Sequence, residues 1–361
     1  MGQNFFKHRL GEEPMFNRRF IGAASFAAAA AVALELWYHR PGASLQGQVA
    51  LITGGSRGLG FMLAREFARE GCRVAICARD AGELARAKVR LEADGAEVLA
   101  AVCDISDRSQ VEELVSRVND RFGQVDILVN NAGIIQVGPV LTMTAEDFED
   151  ALGVIFWGPV YLTLAVLPQM VRRRYGRIVN VTSIGGKVAM PQSLPYTCAK
   201  FALVGFSEGL RAEVGRYGIK VTTVVPWFTR TGSHVNALFK GPTTRLYPLF
   251  ALAATLPGLA MSPEAVARRI VLATRRGEAE LILGLPGNVL ARVYALAPGL
   301  MADLFGLVNR LLPGDSAAGA GAVRGMELEA NLRSPLLRLA ARFGRGPAGR
   351  LLEYPGPTTP A

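Results

Sequence analysis

Histidine is scarce in this chain: His8, His39 and His234 are the only three, and their scatter excludes a metal-binding motif. Cysteine is nearly as sparse. Cys72, Cys77, Cys103 and Cys198 contain no Cys-x-x-Cys pair, and two of them fall in predicted strands. Free, buried thiols are therefore expected in place of a disulfide framework, which suits a reducing compartment. Acidic residues are too few to balance the basic ones, 30 against 40, leaving a net charge of +10. The arginine clusters at 172–174 and 268–269 lack interleaved aromatics and any nucleic-acid motif, so no nucleic-acid partner is expected. Anionic lipid is the partner that such a charge bias suggests. No internal repeat is evident.

Glycine and short apolar runs are plentiful. Residues 49–52, Val-Ala-Leu-Ile, predict a buried parallel strand. It feeds into Thr53-Gly54-Gly55-Ser56-Arg57-Gly58-Leu59-Gly60 and then a helical pattern over 61–70. Strand, glycine turn and helix in that order set backbone N–H groups and a helix N-terminus against a pyrophosphate. The spacing is Gly54-x-x-x-Gly58-x-Gly60, not the commoner Gly-x-Gly-x-x-Gly. Further strands are predicted over 73–78, ending at Arg79; over 98–103, ending at Asp104; and over 125–129, running into Asn130-Asn131-Ala132-Gly133. Two more, 177–181 and 221–225, deliver Ser183 and Pro226. All these residues lie at C-terminal strand ends, where open parallel sheets bind ligands.

Tyr196 and Lys200 stand four residues apart, on one face of a predicted helix, with Ser183 thirteen residues upstream. A cation near a phenol favours phenolate and lowers its pKa from ~10. Reaching about 7 takes roughly 4 kcal/mol, at ~1.36 per unit, which a lysine assisted by a positively charged cofactor ring could supply. The pair is then a proton donor and acceptor matched to neutral pH, with the serine hydroxyl placed to hold a carbonyl or alcohol oxygen. A competing pattern, Gly54-Gly-Ser56-Arg-Gly58, fits a hydrolase nucleophile elbow with His234 as base. It follows the first strand, where such elbows usually come after several, and it leaves Tyr196, Lys200 and Ser183 unexplained.

In their order and spacing, these motifs resemble the short-chain dehydrogenase/reductase family over about residues 46–284. The resemblance implies an α/β fold: a Rossmann-type doubly wound parallel sheet in one domain that binds a nicotinamide dinucleotide. It implies Tyr196 as catalytic acid/base, Lys200 as the group that lowers its pKa and holds the nicotinamide ribose, and Ser183 as positioner of the substrate oxygen. Thr53, the glycine turn and Asn131-Ala132-Gly133 would follow the cofactor, Asn131 also supporting the sheet. Asp104 would lie near the adenine, and Pro226 and Thr231 would hold the carboxamide and pyrophosphate. Two positions depart from the pattern. Trp227 replaces the usual glycine after the proline, and Ile155 stands where a catalytic asparagine is usual. Charge suggests the cofactor. Where NAD enzymes carry an acid after the second strand, this chain has Ala78-Arg79, and Arg57 lies in the turn. Two converging guanidiniums favour a 2′-phosphate, hence NADP(H), unless Arg79 pairs with Asp80 or Glu83 on the surface.

Around that domain, 44–285, the chain is about a hundred residues longer than the fold needs. Residues 1–43 contain a nearly uninterrupted apolar stretch, 20–38, whose nineteen helical residues would span roughly 28 Å. Arg18 and Arg19 precede it, and Trp37, Tyr38, His39 and Arg40 follow as interfacial anchors. A membrane anchor is the expectation, with an alanine-rich soluble docking helix as the alternative. Cofactor supply places the catalytic domain on the cytoplasmic side. The N-terminal charges and the twin-arginine-like Arg18-Arg19-Phe20-Ile21 point instead to export. Residues 232–261 read as an apolar lid over the substrate, and 286–313 as apolar helices broken at Pro298-Gly299 that lie on a membrane or a second subunit of a homo-oligomer. Residues 314–361 read as a flexible tail with one amphipathic stretch, 335–343. The expected function is NADP(H)-dependent hydride transfer to or from a hydrophobic carbonyl or alcohol. The alternative is a dinucleotide-binding sensor or scaffold with little turnover.

Overall fold

The computed structural model describes residues 42–314 and 321–354. The apolar stretch 20–38 lies outside the described residues. Seven parallel strands form the central sheet: β1 (Val49–Thr53), β2 (Arg73–Ala78), β3 (Val98–Val102), β4 (Ile127–Asn130), β6 (Gly176–Val181), β7 (Ile219–Val225) and β9 (Glu280–Ile282). Their order is β3-β2-β1-β4-β6-β7-β9, so the chain reverses direction across the sheet between β1 and β4. β1, β4 and β6 are buried along their whole length, which is why they read as apolar runs and not as alternating strands.

Helices cover both faces. On one side α1 (Gly58–Arg69) and α8 (Pro263–Arg276) pack with Phe61, Leu63, Phe67, Val266 and Ile270 against the sheet. On the other, α3 (Arg108–Phe122) and α5 (Gly158–Arg173) contribute Val111, Leu114, Leu162, Val166 and Met170. α2 (Ala81–Ala93) follows β2, capped by Asp80, whose carboxylate accepts the N–H of Glu83. The continuous helical stretch Ala145–Arg173, formed by α4 (Ala145–Leu152), a π-helical turn (Gly153–Trp157) and α5, is long and apolar enough to cross a membrane. One face of it is taken up by the sheet, since Leu162, Val166 and Met170 are fully buried there, whereas Trp157 and Leu164 are exposed.

The segment 232–261, expected as a lid, has its own small core. After β5 (Gln136–Val137) and α6 (Leu194–Val214), the lid carries β8 (Leu238–Phe239) and α7 (Thr243–Thr255). Phe239 and Tyr247 are fully buried within it, so these two serve packing and not the substrate. Two apolar helices, α9 (Leu285–Leu296) and α10 (Pro298–Leu311), then meet at a bend of 120°. The break falls at Ala297-Pro298, as the proline dictates.

The expectation of a flexible tail is corrected over the described residues 321–354. β10 (Val323–Arg324) pairs antiparallel with β8, completing a small sheet in the order β10-β8-β5. α11 (Gly325–Asn331) and α12 (Pro335–Arg350) then cover the lid through Leu328, Leu337 and Ala340. A composition rich in Gly, Ala and Pro concealed this, because only a few apolar residues at helical spacing carry the packing.

Candidate active site

The glycine turn is built as its residue types require. Gly54 and Gly58 adopt φ of +64° and +57°, which side chains rarely tolerate. Gly60 needs its missing side chain for a different reason: a Cβ there would collide with the carbonyl oxygen of Gly54 and the amide of Asn131. Asn131 fastens β1 to β4 at this point. Its Nδ2 donates to the carbonyl of Thr53 at 2.9 Å, while the N–H groups of Asn131 and Ala132 donate to Thr53 Oγ1 at 2.9 and 3.0 Å. The expected role in supporting the sheet follows from these bonds.

Ser183 leaves the end of β6 and accepts the N–H of Gly185 at 3.1 Å. Tyr196 and Lys200 lie on α6. Lys200 is 4 % exposed, donates to the carbonyl of Val181 at 2.9 Å, and holds Nζ 5.6 Å from the centroid of the Tyr196 ring. Burial, with no carboxylate beside it, pulls Lys200 down to about 7. Burial also raises Tyr196 above its ordinary value, against the opposing hydrogen bond from Ser183. Within the protein alone, burial thus outweighs the neighbouring lysine; the lowering expected of Tyr196 also invokes the positively charged cofactor ring.

One cleft of about 860 Å³ collects Gly54, Ser56, Arg57, Gly58, Leu59, Gly60, Arg79, Asp104, Asn131, Ala132, Gly133, Ser183, Tyr196, Lys200, Pro226 and Thr231. Thr53 lies behind it as the buried acceptor of the Asn131 and Ala132 N–H groups. An apolar wall of the same cleft comes from Ile135, Val137, Met190, Phe228, Leu246, Leu249 and Phe250, while Glu83, Asn236 and Glu353 line it near Arg57. The lid therefore faces the cleft with Leu246, Leu249 and Phe250, as expected of it. Trp227 does not narrow the loop at random. Its indole N–H donates to the carbonyl of Leu259 at 2.8 Å, and its ring packs beside Gly284 and Gly287 at the start of α9.

Arg57 and Arg79 both reach the cleft, but not as two free cations. Arg57 donates to Glu83 at 2.7 Å and to Asn236 at 3.1 Å, and lies 3.6 Å from Glu353. Arg79 is 66 % exposed, with Asp104 at 4.0 Å as its ion-pair partner in place of Asp80 or Glu83. Sequence reasoning missed Asn236 and Glu353, which are 179 and 296 residues beyond Arg57 in the chain and carry no local signal. The hydrolase alternative finds no support. Ser56 donates to Glu83 at 3.0 Å, whereas His234 is buried against Tyr247. Among the described residues no group of His, Cys, Asp and Glu side chains could hold a metal ion.

The family model for short chain dehydrogenases matches residues 48–238. A Drosophila melanogaster dehydrogenase/reductase SDR family protein 7-like is 38 % identical over 244 residues, covering 66 % of this chain and 73 % of that protein. Rat 17-beta-hydroxysteroid dehydrogenase 13 is 33 % identical over 231 residues, 63 % of this chain and 72 % of its own length. Among solved structures, a Streptomyces avermitilis short-chain dehydrogenase superposes with a TM-score of 0.63 at 30 % identity, covering 73 % of this chain and 97 % of that one. A single-substitution variant of actinorhodin polyketide ketoreductase with NADPH does so with a TM-score of 0.59 at 30 % identity, covering 67 % and 97 %.

Proposed function

Because this chain belongs to the short-chain dehydrogenase family, we propose that it is an NADP(H)-dependent oxidoreductase acting on a hydrophobic carbonyl or secondary alcohol. One observation carries the reading: Ser183, Tyr196 and Lys200 line the same cleft as the glycine turn, beside an apolar wall from the lid. The turn fits a dinucleotide: Gly54 and Gly58 take the positive φ that a strand–turn–helix cradle needs, and the cleft is lined by Gly54, Gly58 and Gly60 at the N-terminus of α1. When bound, the reduced nicotinamide supplies a hydride. Ser183 Oγ then holds the substrate oxygen, and the protonated Tyr196 gives it the proton, which suits the reductive direction. Lys200, in its charged form, would steady the charge left on Tyr196. Arg79 and Arg57 favour a 2′-phosphate over a 2′-hydroxyl. The NADPH named with the ketoreductase neighbour supports that choice.

Membrane association belongs to the same proposal. The bent pair α9–α10 exposes Leu285, Val289, Val293, Leu296, Leu300, Leu304, Leu307 and Leu311, and the supply of NADPH favours a catalytic domain on the cytoplasmic side. A sensor or scaffold with little turnover remains the second reading, favoured by Ile155 at the usual asparagine position. Turnover of a panel of hydrophobic ketones with NADPH and with NADH separates the two. Arg79→Asp is expected to lower the ratio of kcat/KM for NADPH over NADH by about tenfold or more, through charge reversal at the phosphate. An unchanged ratio removes Arg79 from cofactor choice, and no turnover with either dinucleotide removes the enzyme reading.

A further inference from the structure

The last described residues of the chain form a strap, Ala348 to Tyr354, whose chemistry falls on the dinucleotide cleft. Leu351 is 1 % exposed within the main core, and its carbonyl oxygen accepts the N–H of Gly58 at 2.8 Å. That N–H opens α1, and the N-cap residue Arg57 gives the helix no side-chain cap. The strap thus supplies a cap that the turn lacks. Leu352 takes a φ of +60°, and the N–H of Glu353 donates back to the carbonyl of Ala348 at 3.0 Å. The carboxylate of Glu353 is thereby turned inward, 4 % exposed. Its Oε2 accepts from Asn236 Nδ2 at 2.8 Å and lies 3.6 Å from Arg57 Nε, while Oε1 fills the space that a Cβ at Gly58 would need. A Cβ on Gly232, next to Thr231, would likewise collide with Ala348.

We propose that Glu353 is a specificity-determining residue of the dinucleotide site, an acid brought by the C-terminal strap that competes for Arg57 with the 2′-phosphate of the cofactor. The inference rests on the dinucleotide binding proposed above. Arg57 is shared between Glu83, which also accepts from Ser56, and Glu353. A phosphate that binds Arg57 must displace or share with both acids, whereas a 2′-hydroxyl need not. The two acids differ in what they cost to ionise. Glu83 stands at the N-terminal turn of α2, where an anion is favoured. Glu353 is buried, and burial pushes its carboxyl up to about 7; Arg57 opposes this and Glu83 adds to it. The charged groups facing it are thus Arg57 from the turn and Glu83 from α2, with neutral Asn236 from the lid. Protonated Glu353 leaves one side of Arg57 to the phosphate. Ionised Glu353 occupies that side and repels the incoming anion.

The test is direct binding to the full chain, read by reduced-nicotinamide fluorescence, with NADPH and NADH as probes at about pH 6 and about pH 8.5. At the higher pH, Glu353→Gln is expected to bind NADPH about tenfold more tightly than the wild type, as loss of one charged competitor would allow, with less than about threefold for NADH. The gap for NADPH shrinks at the lower pH, where the wild-type carboxyl is itself protonated. Thermal melting shows whether the variant is folded, and Glu353→Ala gives the same shift if glutamine disturbs the Asn236 contact. Equal NADPH affinities in wild type and variants at the higher pH overturn the proposal. So does an equal gain for both dinucleotides, which would mean that the strap merely obstructs the cleft. If no form binds either dinucleotide, the oxidoreductase reading falls first and this inference with it.

Discussion

Lys200 donates to the carbonyl of Val181, the last residue of β6, at 2.9 Å. The bond ties α6, which carries Tyr196, to the strand that delivers Ser183 two residues later. Tyr196 and Ser183, the proposed proton-transfer and oxygen-positioning groups, are therefore tied to one another through a buried lysine. Tyr196→Phe removes the transferable proton and leaves this frame intact. Turnover is expected to fall by roughly 10²–10⁴-fold, the usual worth of a positioned acid. The Kd for NADPH, measured by fluorescence, stays within about twofold, since a lone hydroxyl adds little to such a large ligand. Full activity in the variant would remove Tyr196 from the catalytic assignment.

A second prediction concerns the fastening of β1 to β4. Asn131 Nδ2 donates to the carbonyls of Thr53 and Gly54 at 2.9 and 3.4 Å. Asn131→Ala leaves the Thr53 carbonyl short of a partner, at a cost of about 1–3 kcal/mol. The urea midpoint is expected to fall, and dinucleotide affinity with it, because the same carbonyls shape the glycine turn. A variant that binds NADPH normally and melts normally would show that the staple is dispensable.

The glycine turn, the strand ends and the Tyr196/Lys200 pair were legible in the sequence because each obeys a local rule. Gly54 must reach positive φ, Gly60 must admit a carbonyl, and residues four apart must share a helix face. The surroundings of Arg57 follow no such rule. Its partners Glu83, Asn236 and Glu353 come from three separate segments, and only the folded chain brings them together. The ionisation of Tyr196 is not set by spacing alone. Spacing put a lysine beside it, but burial decides how much charge that lysine keeps. In the tail, Leu328, Leu337 and Ala340 were too few to reveal a packed surface before the lid they cover was known.

His234 gives the lid a dependence on pH. It is 4 % exposed, tilted against Tyr247, and held by burial at about 4, below the usual 6.5. The unfolded chain therefore binds a proton between about 6.5 and 4 that the folded chain does not, and stability rises with pH across that window. The contribution is about 3 kcal/mol, present above 6.5 and lost as the pH falls towards 4. His234→Gln is expected to flatten the fall in melting temperature over this range. An unchanged profile would show that acid sensitivity arises elsewhere.

Ile155 makes the last prediction, because it departs from the family at the proton path. It is fully buried in the π-helical turn Gly153–Trp157, packed with Ala151, Ala199 and Leu203, with Tyr196 at the edge of the same cluster. Such turns often mark functional positions in helices. A Cβ built on Gly133 would sit 3.8 Å from both Ile155 Cγ1 and Lys200 Nζ, so side chain 155 and the ammonium border the same spot beside Gly133. The asparagine usual here helps to hold a water beside the lysine; isoleucine has neither donor nor acceptor and cannot do so. The dry surroundings agree with the lowered pKa of Lys200. In Ile155→Asn, the new amide is expected to hold a water beside Nζ and so favour its charged form. The unpaired remainder of the amide costs about 1–3 kcal/mol, so the melting temperature is expected to fall. Turnover with NADPH is expected to be equal or higher, with a smaller solvent deuterium isotope effect on kcat as proton exchange with bulk water eases. A folded variant with much lower kcat would show that the site depends on its isoleucine, and that protons leave Lys200 by another route.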